Sequence, residues 1–206
     1  MIKIKNIIKN NRIIPVIVIN DVKSALKIAD IFISNNIKII EITLRTPNAL
    51  EIISKISNTF PEIIVGVGTV TSYEMVNRAR DNGASFAVSP GFTKKLIEGC
   101  QKLSFPLLPG ASTVSEIMNL KEAGFEFIKF FPASSSGGIE FIKSIHSPFP
   151  ELVFCPTGGI NAKNAKEWLS LPNVYCLGGS WIASKALIED KEWSIISENA
   201  LQASKL

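Results

Sequence analysis

A chain of 206 residues, 46% hydrophobic and 19% charged, is long enough for one sizeable core and too short for two comfortable domains. Its net charge of +4 comes from scattered lysines, with no basic run or interleaved aromatics, which argues against a nucleic-acid track and suits a small anionic ligand. The single histidine, His146, argues against a metal site built from imidazoles, and no apolar run approaches the roughly 18 residues a bilayer span requires.

The opening stretch MIKIKNIIKNNR puts Ile4, Ile7 and Ile8 at helical spacing but is too interrupted by Lys and Asn for a signal segment; it predicts a short capping helix. Apolar, β-branched runs then predict eight strands at 13–19, 38–44, 63–67, 85–89, 106–108, 126–131, 152–156 and 174–177. Helical patterns fall between them at 22–33, 48–56, 73–81, 93–100, 114–122, 139–145 and 162–169, with a last helix around 193–201. Asn20 or Asp21, Ser72, Thr113 and Asn161 are N-cap candidates, and Gly83 and Gly124 are candidate helix ends. His146, followed by Ser147 and Pro148, reads as a loop residue at the surface. The three cysteines, Cys100, Cys155 and Cys176, lie far apart in apolar surroundings and read as reduced thiols of a cytoplasmic protein.

The strands recur about every 20 to 26 residues, close to the smallest period that a strand, a helix and two loops can occupy. Eight such units predict an α/β fold, a single-domain (β/α)8 TIM barrel over residues 1–206. An open doubly wound sheet is the competing reading. It is weakened by the even repetition and by Thr71, which stands where a dinucleotide fingerprint beginning at Gly66-Val67-Gly68 needs its third glycine.

Polar residues in these strands carry the chemistry. In GFEFIKFFP, residues 124–132, side-chain alternation puts Phe127, Lys129 and Phe131 on one face. An ammonium held between phenylalanines is costly, so burial favours the neutral amine, a nucleophile toward carbonyl carbon. A lysine whose ammonium snorkels past the strand end is the alternative. The second strand carries Glu41, Thr43 and Arg45 on one face, which is unusual for a strand covered on both sides and requires internal partners. Those partners can be each other, as a Glu–Arg pair holding the strand end. With Lys129 they can also supply a proton shuttle and an anchor for a substrate carboxylate. The last two strands end in Thr157-Gly158-Gly159-Ile160 and Gly178-Gly179-Ser180-Trp181, at the positions where such barrels bind phosphate. The glycines of Gly66-Val67-Gly68-Thr69, Ser89-Pro90-Gly91 and Pro109-Gly110 read as turns after strands.

The segments IPVIVI, EITLRTPNA, GVGTV, FAVSPGFT, LLPGASTVSE, FIKFFPA, FCPTGGI and CLGGSW, spread over residues 14–181, resemble the 2-dehydro-3-deoxy-6-phosphogluconate (KDPG) and 4-hydroxy-2-oxoglutarate (KHG) aldolase family in order and spacing. The resemblance implies a class I aldolase that cleaves KDPG to pyruvate and glyceraldehyde 3-phosphate, and in many members KHG to pyruvate and glyoxylate. By that resemblance Lys129 forms the Schiff base and Glu41 is the acid/base. Arg45 and Thr69 hold the pyruvate carboxylate, and Pro90 and Phe131 shape the pocket. Thr157, Gly158, Gly159, Gly178, Gly179 and Ser180 form the substrate and phosphate side. The family is typically homotrimeric and needs neither metal nor organic cofactor.

Departures from the family pattern are Val67 for alanine, expected to shift Thr69 or narrow the pocket, Ala111, Phe92 and Asn35-Asn36. The galactonate-series aldolase is the nearest rival, disfavoured by Thr157. A phosphosugar-binding barrel without lyase activity and a lysine-independent isomerase are the others.

Overall fold

Strand and helix alternate along the chain because short β-branched runs are separated by amphipathic stretches with their own caps. The computed structural model describes residues 4–8 and 11–206; the predicted capping helix falls partly outside them and is seen as α1, Ile4–Ile7. The order continues as β1 (Ile13–Ile17), α2 (Val22–Ser34), β2 (Ile39–Thr43), α3 (Ala49–Thr59), β3 (Ile64–Gly68), α4 (Tyr73–Asp81) and β4 (Phe86–Val88). Next are α5 (Lys94–Lys102), β5 (Leu107–Leu108), β6 (Gly110–Ala111), α6 (Val114–Glu122), β7 (Phe127–Phe130), a 3-10 turn at Ser134–Ser136 and α7 (Gly138–His146). The chain closes with β8 (Val153–Pro156), α8 (Ala165–Leu169), β9 (Leu177–Gly179), α9 (Lys185–Glu189) and α10 (Trp193–Ala203). Asp21, Ser72 and Thr113 each cap a helix by accepting from a backbone N–H three residues on.

All strand pairs are parallel. They fall into a six-stranded sheet, β5-β4-β3-β2-β1-β9, and a three-stranded sheet, β6-β7-β8. The α/β class and the parallel order are those the spacing predicts. The strand predicted at 106–108 is seen as Leu107–Leu108, and the ladder resumes beyond the predicted bounds at Gly110–Ala111, interrupted because Pro109 has no N–H to give it; its carbonyl still accepts from Lys129 N at 2.8 Å. Single bridges join Phe154 of β8 to Val174, ahead of β9, and Thr157, just after β8, to Gly178 of β9.

Alternation within the strands separates two apolar layers. Ile40, Ile42, Val67, Ala87, Ile128, Phe130 and Phe154 pack outward with the helices. Ile14, Ile39, Phe86, Val88, Leu108, Phe127, Cys155 and Cys176 form a smaller interior cluster, which Ile4 of α1 joins. Phe127 and Lys129 therefore share the inner face of β7, as do Ile39 and Glu41 on β2.

Other expectations are corrected. The helix predicted at 162–169 starts only at Ala165, because Asn161 Oδ1 accepts from Lys163 and Asn164 N–H groups at 2.9 and 3.3 Å and holds the preceding residues in a turn. The strand predicted at 174–177 is displaced to Leu177–Gly179, where pairing with β1 overrides the poor strand preference of glycine. His146 ends α7 instead of lying in a loop, and its Nδ1 is buried.

Candidate active site

Lys129 lies on the inner face of β7 above an apolar floor and is only 6% exposed. Its backbone is held by parallel neighbours, Gly110 on β6 and Cys155 on β8. Its Nζ sits 5.1 Å from the ring centroid of Phe131. The amine does not snorkel to solvent, and among the described residues it has no carboxylate partner. Burial pushes the Cys100 thiol up to about 11, and desolvation raises the Cys176 thiol too, so neither offers a thiolate to compete as nucleophile at neutral pH.

Glu41 occupies the matching inner position of β2 and is 3% exposed. Its carboxylate has room only because residue 68 is glycine: a Cβ there would collide with Glu41 Oε1. Gly66 is inside the same strand, β3, and a Cβ on it would run into the Phe86 ring. These two glycines are thus in-strand residues that make space for inner side chains, and the expectation that they form a turn is corrected.

The other polar residues of β2 find partners, but not each other. Thr43 Oγ1 donates to the Ile17 carbonyl at 3.0 Å, and Arg45 Nε donates to Thr69 Oγ1 at 3.2 Å. Arg45 is exposed and makes no ion pair with Glu41 among the described residues, which removes the reading of a Glu–Arg strut. Thr69 has φ +60, a backbone region that a β-branched residue rarely adopts. Local strain of this kind concentrates at ligand sites. Next to it, Thr46 Oγ1 donates to Ile19 O at 2.6 Å and Asn48 Nδ2 donates to Asn20 O at 2.9 Å, fixing the loop that carries Arg45.

Pro90 is half-buried, and its carbonyl occupies the space into which a Cβ on Gly110 would project. Since Gly110 is the register neighbour of Lys129, Pro90 lies one strand away from the amine. Phe131 connects Lys129 to the glycine turn after β8: its Cδ2 is 3.5 Å from where a Gly158 Cβ would stand. Thr157 is buried and bridges to Gly178, whose missing Cβ makes room for the Thr157 side chain. Gly158 and Gly159 have φ +98 and +79, so only glycine adopts this turn without strain. Gly178 and Gly179 lie in β9, and Ser180 is exposed just after it.

Among the described residues, no three His, Cys, Asp or Glu side chains gather as a metal site, and no helix is long and apolar enough to cross a membrane. A cleft of about 920 Å³ runs from Arg45 and Thr46 past Lys23 to Lys185 and Trp193, and an apolar cavity of about 90 Å³ lies by Ile4, Phe105 and Phe127. Neither is lined by Lys129 or Glu41, so the site is defined by its chemistry and not by cavity size.

The family model "KDPG and KHG aldolase" matches residues 4–199. The chain belongs to the KDPG/KHG aldolase family. The 2-dehydro-3-deoxy-phosphogluconate aldolase of Pseudoalteromonas atlantica is 44% identical over 97% of this chain and 93% of its own length. The KHG/KDPG aldolase of Escherichia coli K12 is 37% identical over the same shares. A crystal structure of the Legionella pneumophila KDPG aldolase, with pyruvate captured at low pH as a covalent carbinolamine, is 44% identical, covers 93% of each chain and has a TM-score of 0.91. The chain is thus a Schiff-base aldolase, a lyase.

In this aldolase, two departures from the family pattern lie away from the pocket. Val67 is fully buried in the outer layer, so it does not narrow the inner face as expected; Ala111 lies in the same layer. Asn35-Asn36 ends α2 with Asn36 at φ +62, a conformation asparagine tolerates. Two participants escape a reading of the sequence alone. Gly68 is recognised only from the side chain it accommodates on the neighbouring strand. Asn164 donates from Nδ2 to the Gly159 carbonyl at 3.0 Å, a contact within the turn before α8 that strand and helix periodicity do not report.

Proposed function

We propose that this aldolase cleaves KDPG to pyruvate and glyceraldehyde 3-phosphate, with Lys129 as the Schiff-base nucleophile and Glu41 as the acid/base. The observation that carries the assignment is the pair itself: an amine and a carboxylate on the inner faces of two strands, both buried, neither bonded to another polar protein group. Arg45 and Thr69, joined by a hydrogen bond, are suited to the pyruvate carboxylate.

The amine attacks the C2 ketone, and loss of water from the carbinolamine gives a protonated imine. That cation accepts the electron pair when the C3–C4 bond breaks. Glu41, through a water molecule, takes the proton of the C4 hydroxyl. Glyceraldehyde 3-phosphate leaves, and the enamine is protonated and hydrolysed to pyruvate. Thr157, Gly158, Gly159, Gly178, Gly179 and Ser180 hold the remote end of the substrate, and Pro90 and Phe131 wall the reacting end. Binding energy far from the scissile bond then serves alignment. KHG, cleaved to pyruvate and glyoxylate, shares the reacting half and is a second substrate.

Comparing kcat/KM on KDPG and on its C4 epimer tests the substrate. The gluconate-series compound is expected to be preferred at least tenfold; preference for the epimer would make the chain a galactonate-series aldolase. No turnover of either would leave a phosphosugar-binding barrel.

We also infer a single domain in which the nine strands close as one barrel, with β5 and β6 as halves of one strand. The Pro109 carbonyl and the bridge from Thr157 to Gly178 support this. One cooperative unfolding transition is expected, and two separate transitions would contradict it. A cytoplasmic homotrimer is the proposed assembly. Val114 and Met118, 44% and 49% exposed on one face of α6, offer an apolar contact for a second copy. Light scattering should give three times the chain mass; a monomer mass would overturn the trimer.

A further inference from the structure

The turn that follows β8 has three consecutive carbonyls, and each is gripped by a donor. Ala133 N–H donates to Thr157 O at 2.8 Å, Ser134 N–H to Gly158 O at 3.1 Å, and the Asn164 side-chain Nδ2 to Gly159 O at 3.0 Å. In a trans peptide the N–H points opposite to the C=O of the same unit. Gripping these carbonyls therefore turns the N–H groups of Gly158, Gly159 and Ile160 away from the grips. Among the described residues, none of the three donates to a protein acceptor. Two of the grips come from the backbone after the Lys129 strand, and one comes from a side chain. Asn164 is itself held, because its Oδ1 accepts from Asn161 N at 2.9 Å.

We infer that Asn164 is a positioning residue for the anion-binding turn: by holding the Gly159 carbonyl it aims free backbone N–H groups at the phosphate end of the substrate. This rests on the reading of residues 157–159 as the phosphate side. Asn164 touches neither the substrate nor the reacting atoms. Its effect is confined to ligands that carry the phosphate.

The test uses Asn164→Asp and Asn164→Ala in the intact enzyme. The aspartate retains an oxygen for the Asn161 N–H but removes the donor to Gly159 O; the alanine removes both. Either change is expected to raise the KM for KDPG about tenfold, the scale of a lost hydrogen bond to a charged group, with kcat within about twofold. Inhibition by inorganic phosphate should weaken by a similar factor. Turnover of KHG, which has no phosphate, and borohydride trapping of pyruvate should stay within about twofold. A purely structural role in the turn before α8 would lower the melting temperature and reduce both substrates alike, and that result would overturn the inference. So would an unchanged KM for KDPG in the aspartate variant. If the wild-type chain neither traps pyruvate nor distinguishes the substrates, the proposed function fails first, and this inference fails with it.

Discussion

Glu41 keeps an unpaired carboxylate next to the inner face because the neighbouring strand gives up a side chain at Gly68. Gly68→Ala should push that carboxylate off its line. A misplacement of about 1 Å can cost on the order of a hundredfold in rate, so kcat for cleavage should fall by roughly that factor. The imine between Lys129 and pyruvate should still form. Measuring kcat and trapping on the same variant separates the two, and unimpaired cleavage would remove Glu41 from the proton transfer. The candidate pair was legible in the sequence because side-chain alternation alone puts Lys129 with Phe127 and Phe131, and Glu41 with Thr43. Gly68 and Asn164 were not, since their roles are contacts across strands or loops that spacing does not encode. The same limit explains Arg45, which shares a face with Glu41 in the sequence pattern yet bonds Thr69 from the next strand's end.

At the scale of elements, the N-cap candidate Thr113 proves to be half of a capping box at the start of α6, completed by Glu116. Glu116 Oε2 accepts from the Ser112 and Thr113 N–H groups at 2.8 and 2.9 Å, and Thr113 Oγ1 accepts from Glu116 N at 3.3 Å. Partial burial works to raise the carboxyl, but the hydrogen bonds from Ser112 and Thr113 outweigh it and hold Glu116 below its ordinary value of 4.5. A lowered folded-state value means that the contribution is present above pH 4.5 and is lost as the pH falls through the folded value. Thr113→Ala should cost about 1 kcal/mol in denaturant unfolding at pH 7. Glu116→Gln should flatten the acid limb of the stability profile; an unchanged limb would show that the box contributes nothing. Most helices and strands were legible because period and cap agreed. The exceptions have local causes: Pro109 divides a ladder, Asn161 delays α8, and β9 is a strand only because β1 pairs with it.

At the scale of the molecule, the even strand–helix period was enough to predict a parallel α/β fold. How the ladders join depends on single residues such as Pro109 and Thr157, which no period reports. What the architecture accomplishes is to bring an amine and a carboxylate to the inner faces of separate strands, over a floor of Ile39, Phe86, Phe127 and their neighbours. The turn after β7 grips the glycine turn after β8, so the strand of the proposed nucleophile and the proposed phosphate side are parts of one hydrogen-bonded unit. The direct test of this arrangement is borohydride reduction in the presence of pyruvate, followed by peptide mass mapping of the wild-type chain and of Lys129→Ala. A reduced pyruvate adduct on Lys129 alone, absent from the variant along with turnover, is the predicted result. An adduct on another lysine, or turnover of wild-type order in Lys129→Ala, would contradict it.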